Sequence, residues 1–340
     1  MSRTPTPPIE RFDTATGLRL YRLRLEAFPR FYVHAYLVLG ADTPILIDVG
    51  SGWANSNTDL LTAFDSLHSD YGESVRLADV GQIIITHAHI DHFGGLTFVR
   101  EHTPAPVAVH VLDRRVLINY TERVLVAAKG LRVFLRRAGI ADAHITQLMD
   151  LYSFGKGFYR PTAVDHVLAD GDRYLDLFTV THVPGHCPGQ VMLQHDDILI
   201  TADHILEGIT PHQVPESITR NTGLGHYLDS LDKASRLPNV RLALGGHKRP
   251  LTHYYDRIGE IRQSHMERLE AILAICTDGP KTIKDISMAL FQEQVGYNAL
   301  LALEETGAHV EYLYQRGELE AANLDQIAAE DDPPILYQRT

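Results

Sequence analysis

Alternating and continuous apolar runs in the first part of the chain predict a β-rich fold. Residues 18–23 alternate apolar and polar side chains, which is typical of a strand with one buried face. A longer apolar run at 31–39 is followed by a turn and a second run at 43–48, so we expect these segments to form a β-hairpin. Patterns further along the chain, at 57–66 and 94–101, predict helices.

Four apolar runs share one feature, because each is followed by a residue that can bind a metal. The run at 83–85 leads into a loop with four potential ligands in six residues. The runs at 178–181, 198–202 and 242–244 lead to one such residue each. The residues concerned are His87, His89, Asp91, His92, His186, Asp203 and His247. Imidazole nitrogens and carboxylate oxygens suit zinc or a similar divalent ion, so we predict one shared metal site.

In both motif and order, residues 15–250 resemble the metallo-β-lactamase superfamily. The resemblance implies an α/β fold, an αββα sandwich in which two β-sheets lie between helices and the metals sit at one edge. Its implied ligand sets are His87, His89 and His186 for a first metal, Asp91, His92 and His247 for a second, and Asp203 as the bridge between them. The hydrolytic branch of this superfamily usually carries zinc, so we expect two divalent ions, zinc first.

Three further positions bear on this resemblance. Asp48 lies in a segment similar to the family's early strand-and-turn motif, which implies that it braces the ligand loop; a turn aspartate is the alternative. His89 stands where flavodiiron members have glutamate, which disfavours a di-iron electron-transfer site. Cys187 replaces a small hydroxyl residue and is expected to be a small buried side chain, the alternative being an approach to the metal.

The ligand set predicts metal-assisted hydrolysis. Two divalent ions about 3.5–4 Å apart can hold a bridging hydroxide and polarise the bond under attack. Asp91 would orient the water and accept its proton, and the sequence has no Gly-x-Ser-x-Gly elbow for a serine nucleophile. We expect a small ester, thioester or lactone as substrate. The resemblance leaves two rivals open, an endoribonuclease or phosphodiesterase and a mononuclear iron persulfide dioxygenase.

Residues 113–160 predict a helical cap inserted near the metals. The segment carries nine Lys/Arg against four Asp/Glu, in a chain of net charge −12. Such a cap would attract anionic substrates, in particular an acyl thioester, unless it is only a solvated helix face. Candidate pocket residues are Tyr152, Phe154, Phe158, Tyr159 and His212. For the aromatic residues, the alternative is the core of the cap.

The C-terminal segment has a different character. Helices are predicted at 258–275, at 282–290 and at 297–306, the last ending at Gly307, with a hairpin from strands at 310–314 and 318–321. Three helices and a hairpin resemble the small winged-helix domain that follows the hydrolase core in one branch of the superfamily. We therefore predict a catalytic domain at 1–254 and a winged-helix-like domain at 255–340.

Charge, length and cysteine content indicate which partners, how many domains and which cellular location to expect. Residues 251–340 carry seven Lys/Arg against sixteen Asp/Glu, so this segment is not expected to bind DNA but to pack on the core or form a homodimer contact. At 340 residues the chain is long enough for two domains. Two cysteines give no disulfide framework, and no apolar leader or membrane-length run is present. We expect a cytoplasmic enzyme with a small-molecule substrate and no membrane partner.

Overall fold

A computed structural model of the protein describes residues 9–53, 55–153 and 159–340. Two β-sheets lie face to face, with helices on their outer faces. The larger sheet contains, side by side in chain order, β1 (Glu10–Asp13), β2 (Arg19–Phe28), β3 (Phe31–Leu39), β4 (Ile45–Ile47), β5 (Gln82–Ile84), β6 (Val107–His110) and β7 (His166–Leu168). The smaller sheet also has its strands side by side in chain order and contains β8 (Arg173–Tyr174), β9 (Phe178–His182), β10 (Val191–His195), β11 (Ile198–Ala202) and β12 (Leu242–Gly245).

The alternation of side chains along the strands produces the four layers. On β3, Tyr36 faces the core between the two sheets, whereas Leu37 faces the core under the outer helices. On β11, Ile200 faces the space between the sheets, and Leu199 faces the opposite helices. Each sheet is therefore buried on both faces, which explains the long apolar runs in the sequence. The predicted αββα sandwich and its β3–β4 hairpin are confirmed.

Helices cover both sheets and continue beyond the sandwich. The helices of the described residues are α1 (Ser56–Tyr71), α2 (Ile90–Phe93), α3 (Leu96–Arg100), α4 (Val111–Ile118), α5 (Tyr120–Arg137), α6 (Asp142–Ser153), α7 (Leu224–Ala234), α8 (Tyr254–Thr277), α9 (Ile283–Phe291), α10 (Tyr297–Gln315) and α11 (Leu324–Ala329), with a short 3-10 helix at Leu77–Asp79. The predicted helical insertion is thus present as α4, α5 and α6.

Parallel pairing brings the ends of several strands to one edge of the sandwich. β4, β5 and β6 are neighbours and run parallel, so the residues that follow them emerge together. β11 and β12 are also parallel neighbours in the smaller sheet. In α/β sheets this carboxyl edge is where functional residues collect. The edge carries Asp48 after β4, the ligand loop after β5, Asp203 after β11 and His247 after β12.

The insertion and the C-terminal helices share a core. Leu131 and Leu135 of α5 belong to the same buried cluster as Ile261 of α8 and Leu300 of α10. Leu125 of α5 lies outside this core and is 63% exposed. The division of the chain at residue 254 stays a prediction, since apolar contacts cross it.

The C-terminal prediction is right for three helices and wrong for one strand. Thr282 caps α9 through a reciprocal capping box with Asp285. However, α10 continues through Gly307 to Gln315, so the predicted strand at 310–314 is helical. A Cβ at Gly307 would lie 2.5 Å from the Phe134 ring, which shows that this glycine allows close packing and does not end the helix.

A two-stranded sheet does follow α10, but with a different partner from the one predicted. β13 (Leu319–Ala321) pairs antiparallel with β14 (Tyr337–Arg339). The winged-helix assignment therefore stays a prediction. Both cysteines, Cys187 and Cys276, are buried and unpaired. Among the described residues, no helix has the length and apolar character needed to cross a membrane.

Candidate metal centre

His87, His89 and His186 form the first of two ligand groups at the carboxyl edge. Nε2 of His87 and Nδ1 of His89 are 3.1 Å apart, and the rings of His89 and His186 are 4.5 Å apart. One ligand atom from each residue lies within 4.8 Å of the others, although His186 is 97 positions beyond His89 in the chain. We call this set the first group.

Asp91, His92, Asp203 and His247 form the second group, again with ligand atoms within 4.8 Å of one another. Nε2 of His247 lies 3.2 Å from Oδ2 of Asp91 and 3.1 Å from Oδ2 of Asp203. Nε2 of His92 lies 3.5 Å from Oδ1 of Asp203. The four side chains therefore converge on one point, with two carboxylates among them.

Asp203 contacts both groups. Besides its two histidine neighbours in the second group, its Oδ2 lies 3.7 Å from Nε2 of His186 in the first. The rings of His87 and His92, one from each group, are 4.1 Å apart. This is the geometry expected of a carboxylate between two adjacent metal positions.

Hydrogen bonds fix the orientation of three imidazole rings. Nδ1 of His92 lies 2.7 Å from Oδ2 of Asp48, and Nδ1 of His186 lies 2.7 Å from the backbone carbonyl of His212. Nδ1 of His247 lies 2.6 Å from the carbonyl of Tyr32. Because each partner is an acceptor, each Nδ1 carries a proton, and Nε2 is the atom that faces the centre and would bind a metal, as in known metal sites.

Unpaired buried atoms show that the residues fit a metal. Nε2 of His92, Nε2 of His186 and Oδ1 of Asp203 are buried and have no hydrogen-bond partner. Leaving such atoms unpaired costs free energy, about 1–3 kcal/mol for a neutral group, and bound cations would remove that cost. Gly246 keeps the space open, since a Cβ there would lie 2.2 Å from Oδ1 of Asp203.

The first group is electrically neutral. Burial lowers the pKa of His87 well below its usual value, and the neighbouring histidines lower it further. Burial also lowers the pKa of His89 to about 3, and that of His186 falls for the same reason. All three imidazoles are therefore unprotonated at neutral pH and ready to bind a cation.

The second group carries charges. Burial acts to lower the pKa of His92, but Asp203 and Asp91 outweigh it and raise that pKa well above its usual value. In the same way, burial is outweighed at His247, whose pKa Asp203 raises to about 10. Without a metal, these two histidines hold protons that neutralise the two carboxylates.

Asp48 makes the contacts that bracing the ligand loop requires. Its carboxylate accepts hydrogen bonds from the backbone N–H of Thr86 at 2.8 Å and from the Thr86 hydroxyl at 2.7 Å, as well as from His92. The Thr86 hydroxyl in turn lies 3.1 Å from Nδ1 of His87. Asp48 is also a turn residue with a left-handed backbone, at φ 59°, so its conformation also agrees with the alternative of a turn aspartate.

Of the five pocket candidates, Tyr159 lies near the centre, Tyr152 packs against the core shared by the cap and the C-terminal helices, and two lie outside the described residues. Tyr159 packs against Phe93 and presses on Gly94, where a Cβ would lie 2.5 Å from its ring. Burial and the nearby Asp91 raise the pKa of Tyr159. Burial raises the pKa of Tyr152 to about 12, with Glu304 adding to it. Phe154 and Phe158 fall outside the described ranges.

His212, the fifth candidate, is held between two carboxylates. Its Nε2 lies 3.2 Å from Glu304, and its Nδ1 lies 3.4 Å from Glu305. Burial acts to lower its pKa, but these two glutamates outweigh it and raise the pKa to about 9. Both ring nitrogens of His212 thus have carboxylate partners, and its side chain faces α10. Its contribution to the centre is its backbone carbonyl, which accepts the hydrogen bond from His186.

The sequence interpretation missed two aromatic residues near the centre. The Phe31 ring lies 4.8 Å from the His247 ring and is 46% exposed. Tyr297 begins α10, and its pKa is raised by burial and by the charges of Glu304 and Asp91. No ligand pattern marks either residue, because both are brought to the site by segments distant in sequence.

Asp113, one of the four acids of the predicted cap segment, is fully buried behind the ligand loops. Its carboxylate accepts hydrogen bonds from the N–H of Ala88 at 2.8 Å, the N–H of Gly189 at 2.9 Å and Sγ of Cys187 at 3.3 Å. Burial raises the pKa of Asp113 to about 6 despite these bonds. Cys187 is therefore the small buried side chain that was expected, bonded to Asp113.

Several of the cap's basic residues have acidic partners of their own. Arg136 pairs with Asp142 at 3.5 Å, and Arg137 pairs with Asp332 at 2.8 Å. Both arginine side chains are about half exposed, at 46% and 49%. These two residues therefore have the contacts of a solvated helix face.

A third cluster of ligand types has an explanation in hydrogen bonds. Nδ1 of His309 bonds the carbonyl of Glu305 at 2.7 Å, so its Nε2 accepts from Nδ1 of His265 at 2.9 Å. The carboxylate of Glu305 pairs with Arg268 at 2.7 Å. Since these partners account for both His309 nitrogens and for the carboxylate, we assign no metal there.

Comparison with known proteins adds a family to this geometry. A sequence model of the Metallo-beta-lactamase superfamily matches residues 28–247, well over half of the chain. The probable metallo-hydrolase YqjP of Bacillus subtilis (strain 168) is 22% identical over 288 residues, spanning 83% of this chain and 87% of that protein. The probable metallo-hydrolase YqgX of the same organism is 26% identical over 176 residues, spanning 48% and 67%.

Solved structures extend the likeness to nearly the whole chain. A metallo-beta-lactamase family protein from Thermus thermophilus is similar with a TM-score of 0.76 and 27% identity, covering 94% of this chain and 98% of that one. A beta-lactamase domain protein from Burkholderia ambifaria has the same fold, with a TM-score of 0.72, 22% identity and coverages of 97% and 95%. At these coverages the helices that follow the sandwich belong to the shared architecture.

Proposed function

Because the chain belongs to the metallo-beta-lactamase superfamily, we propose that it is a dinuclear, zinc-dependent hydrolase of small esters, thioesters or lactones. The observation that carries the proposal is the position of Asp203, within 3.7 Å of a histidine of the first group and within 3.5 Å of two histidines of the second. A metal-dependent hydrolase also agrees with the two Bacillus relatives, both named as probable metallo-hydrolases.

The ligand residues divide into two sets in this proposal. His87, His89 and His186 would hold one ion, and Asp91, His92 and His247 the other, with Asp203 between them. When bound, two such ions supply a water acidified to a pKa near 7 and polarise the carbonyl group of the substrate. Zinc is favoured because the donor set is rich in imidazole nitrogen.

Asp91 is the residue proposed to handle the proton. Its carboxylate is 14% exposed and thus borders the open side of the centre, whereas His92 beside it is fully buried. Burial acts to raise the pKa of Asp91, but His92 and His247 outweigh it and lower that pKa to about 2. Asp91 therefore stays a carboxylate, able to orient a water by accepting a hydrogen bond from it.

The walls around the centre favour a small substrate with a carbonyl group over a nucleic acid. Phe31, Tyr159 and Tyr297 offer aromatic surface near the centre, whereas Glu304 and Glu305 on the α10 side are buried and paired with His212 and Arg268. These walls therefore offer apolar contacts rather than the basic surface that neutralises the phosphates of RNA. The preference for an anionic acyl thioester rests on the cap's excess of Lys and Arg alone and stays a prediction.

Metal analysis combined with a substrate panel tests this proposal. The purified protein would be stripped of metal, reloaded with zinc or iron, and assayed with an acyl thioester, a lactone, a phosphodiester, a short RNA and a persulfide. We expect two zinc ions per chain and turnover of the thioester or lactone. Turnover of RNA alone, or one iron per chain with persulfide oxidation and no hydrolysis, would contradict it.

A further inference from the structure

We propose that Asp113 is a positioning residue that clamps together the two loops carrying the first group. It stands at the carboxyl edge, three residues beyond β6, just as Asp48 stands one residue beyond β4. These two strands flank β5, which leads into the ligand loop. The inference rests on the proposed function, because it assumes that the first group holds a metal.

The carboxylate of Asp113 contacts both loops at once. Oδ2 accepts from the N–H of Ala88, the residue between His87 and His89. Oδ1 accepts a hydrogen bond from the N–H of Gly189, three residues after His186. Oδ2 also accepts a hydrogen bond from the Cys187 thiol. One side chain therefore holds the relative position of two loops that are about a hundred residues apart in sequence.

The contact between Asp113 and the Gly189 loop is closely packed. A Cβ at Gly189 would lie 2.5 Å from Cγ of Asp113, so the loop approaches the carboxyl group as closely as glycine allows. Asp113 is completely buried, and no lysine or arginine of the described residues forms an ion pair with it. A buried carboxylate held only by neutral donors costs stability, which favours a role beyond folding.

Stepwise metal binding tests the inference. Metal-free wild type, Asp113→Ala and Asp113→Asn would be titrated with zinc against a chelator to obtain two Kd values. His89→Ala and His247→Ala identify which step belongs to which group. We expect Asp113→Ala to weaken the His89-dependent step by about 10–100-fold, the usual effect of removing a residue that orients a ligand. The His247-dependent step should change much less, and Asp113→Asn should fall between.

Asp59→Asn is the matched control. Asp59 is also a buried aspartate, 6% exposed, and it accepts a backbone hydrogen bond from Glu26, away from both ligand loops. Its loss should lower the melting temperature without changing either Kd. If Asp113→Ala lowers the melting temperature and leaves both Kd values unchanged, or weakens both steps equally, the clamp is refuted.

Milder variants cover the case in which Asp113→Ala does not fold. Cys187→Ala removes one of the three donors and should weaken the same step about fivefold, the value of one hydrogen bond, whereas Cys187→Ser should restore it. Equal affinities for these two variants would also refute the clamp. A wild-type protein that binds fewer than two metals would overturn the proposed function instead, which the titration shows before any variant is made.

Discussion

The two ligand groups differ in charge and in what holds them. The first consists of three neutral histidines, and besides the Thr86 hydroxyl next to His87 it is supported by segments added to the sandwich: Asp113 at the start of the cap, and the His212 backbone. The second contains carboxylates and protonated histidines, and its supports are Asp48 and the Tyr32 carbonyl, both beside strands of the larger sheet. One half of the centre thus depends on added segments, and the other depends on the sheet itself.

This difference suggests a division of roles between the two groups. A site whose histidines are unprotonated binds a cation without releasing protons, whereas a site whose histidines are protonated must release them first. The added segments also carry two aromatic residues near the centre, Tyr159 and Tyr297, both close enough to Asp91 for its charge to raise their pKa. Changes in the added segments should therefore affect the first group and the substrate before they affect the second group.

The largest effect is expected where the two groups meet. Asp203→Asn removes the carboxylate between them, so both metal positions should weaken and kcat/KM should fall by more than about 100-fold, beyond the usual loss for a residue that only orients a ligand. Metal content and initial rates on the best substrate of the panel measure this. Retained activity with two metals bound would remove Asp203 from the bridging position.

The pH dependence of metal binding should separate the groups next. Because the pKa of His247 is raised to about 10 and that of His92 is also raised, metal must displace protons from the second group at neutral pH. Its affinity should rise by up to about tenfold per pH unit for each proton released, from about pH 6 to 8. The first group, whose histidines are unprotonated there, should show little change.

Chelator competition at three pH values measures both slopes. His247→Ala, which leaves the first group intact, serves as the reference for the step that depends little on pH. Equal slopes for the two steps would mean that the charge difference between the groups is not real.

Packing between the cap and α10 should have a moderate effect. Gly307→Ala places a methyl group 2.5 Å from the Phe134 ring and 2.9 Å from Pro215, and such overpacking costs about 1–3 kcal/mol of unfolding free energy. Gly259→Ala, in α8 with open space around it, is the control and should stabilise by about 0.5–1 kcal/mol. Urea denaturation distinguishes them, and a neutral Gly307→Ala would show that α10 is not closely docked.

The smallest effect is expected from the exposed arginines of the cap. Replacing Arg132, Arg136 and Arg137 with glutamine should change KM by less than about fivefold, since exposed ion pairs contribute at most about 1 kcal/mol. The test compares an anionic thioester with a neutral lactone. A rise in KM for the thioester alone would show that the basic cap attracts the substrate.

The resemblance to the superfamily implied the sandwich and the two ligand sets, whereas local patterns alone predicted individual strands and one shared metal site. Strand periodicity and the ligand types after each strand depend on local sequence, and the structure brings all seven residues together as expected. The extent of α10 was not predictable, because the close approach of Phe134 to Gly307 is a tertiary contact. Phe31 and Tyr297 were missed for the same reason.

Asp113 could have been found from the sequence. It follows a buried β-run, as Asp48 does, and a carboxylate after each strand beside the ligand strand is a recognisable pattern. However, Asp113 lies at the start of the basic insertion, where an acidic residue is easily interpreted as one surface charge among others. Pairing of β5 with β6 was needed to see that it faces the ligand loop.

A crystal structure of the zinc-loaded protein, with anomalous scattering recorded at the zinc edge, tests the central claim most directly. We predict two peaks about 3.5–4 Å apart, one within the first group and one within the second, with Asp203 bound to both. A single peak at the first group, with Asp203 bound to no second ion, would contradict the dinuclear account.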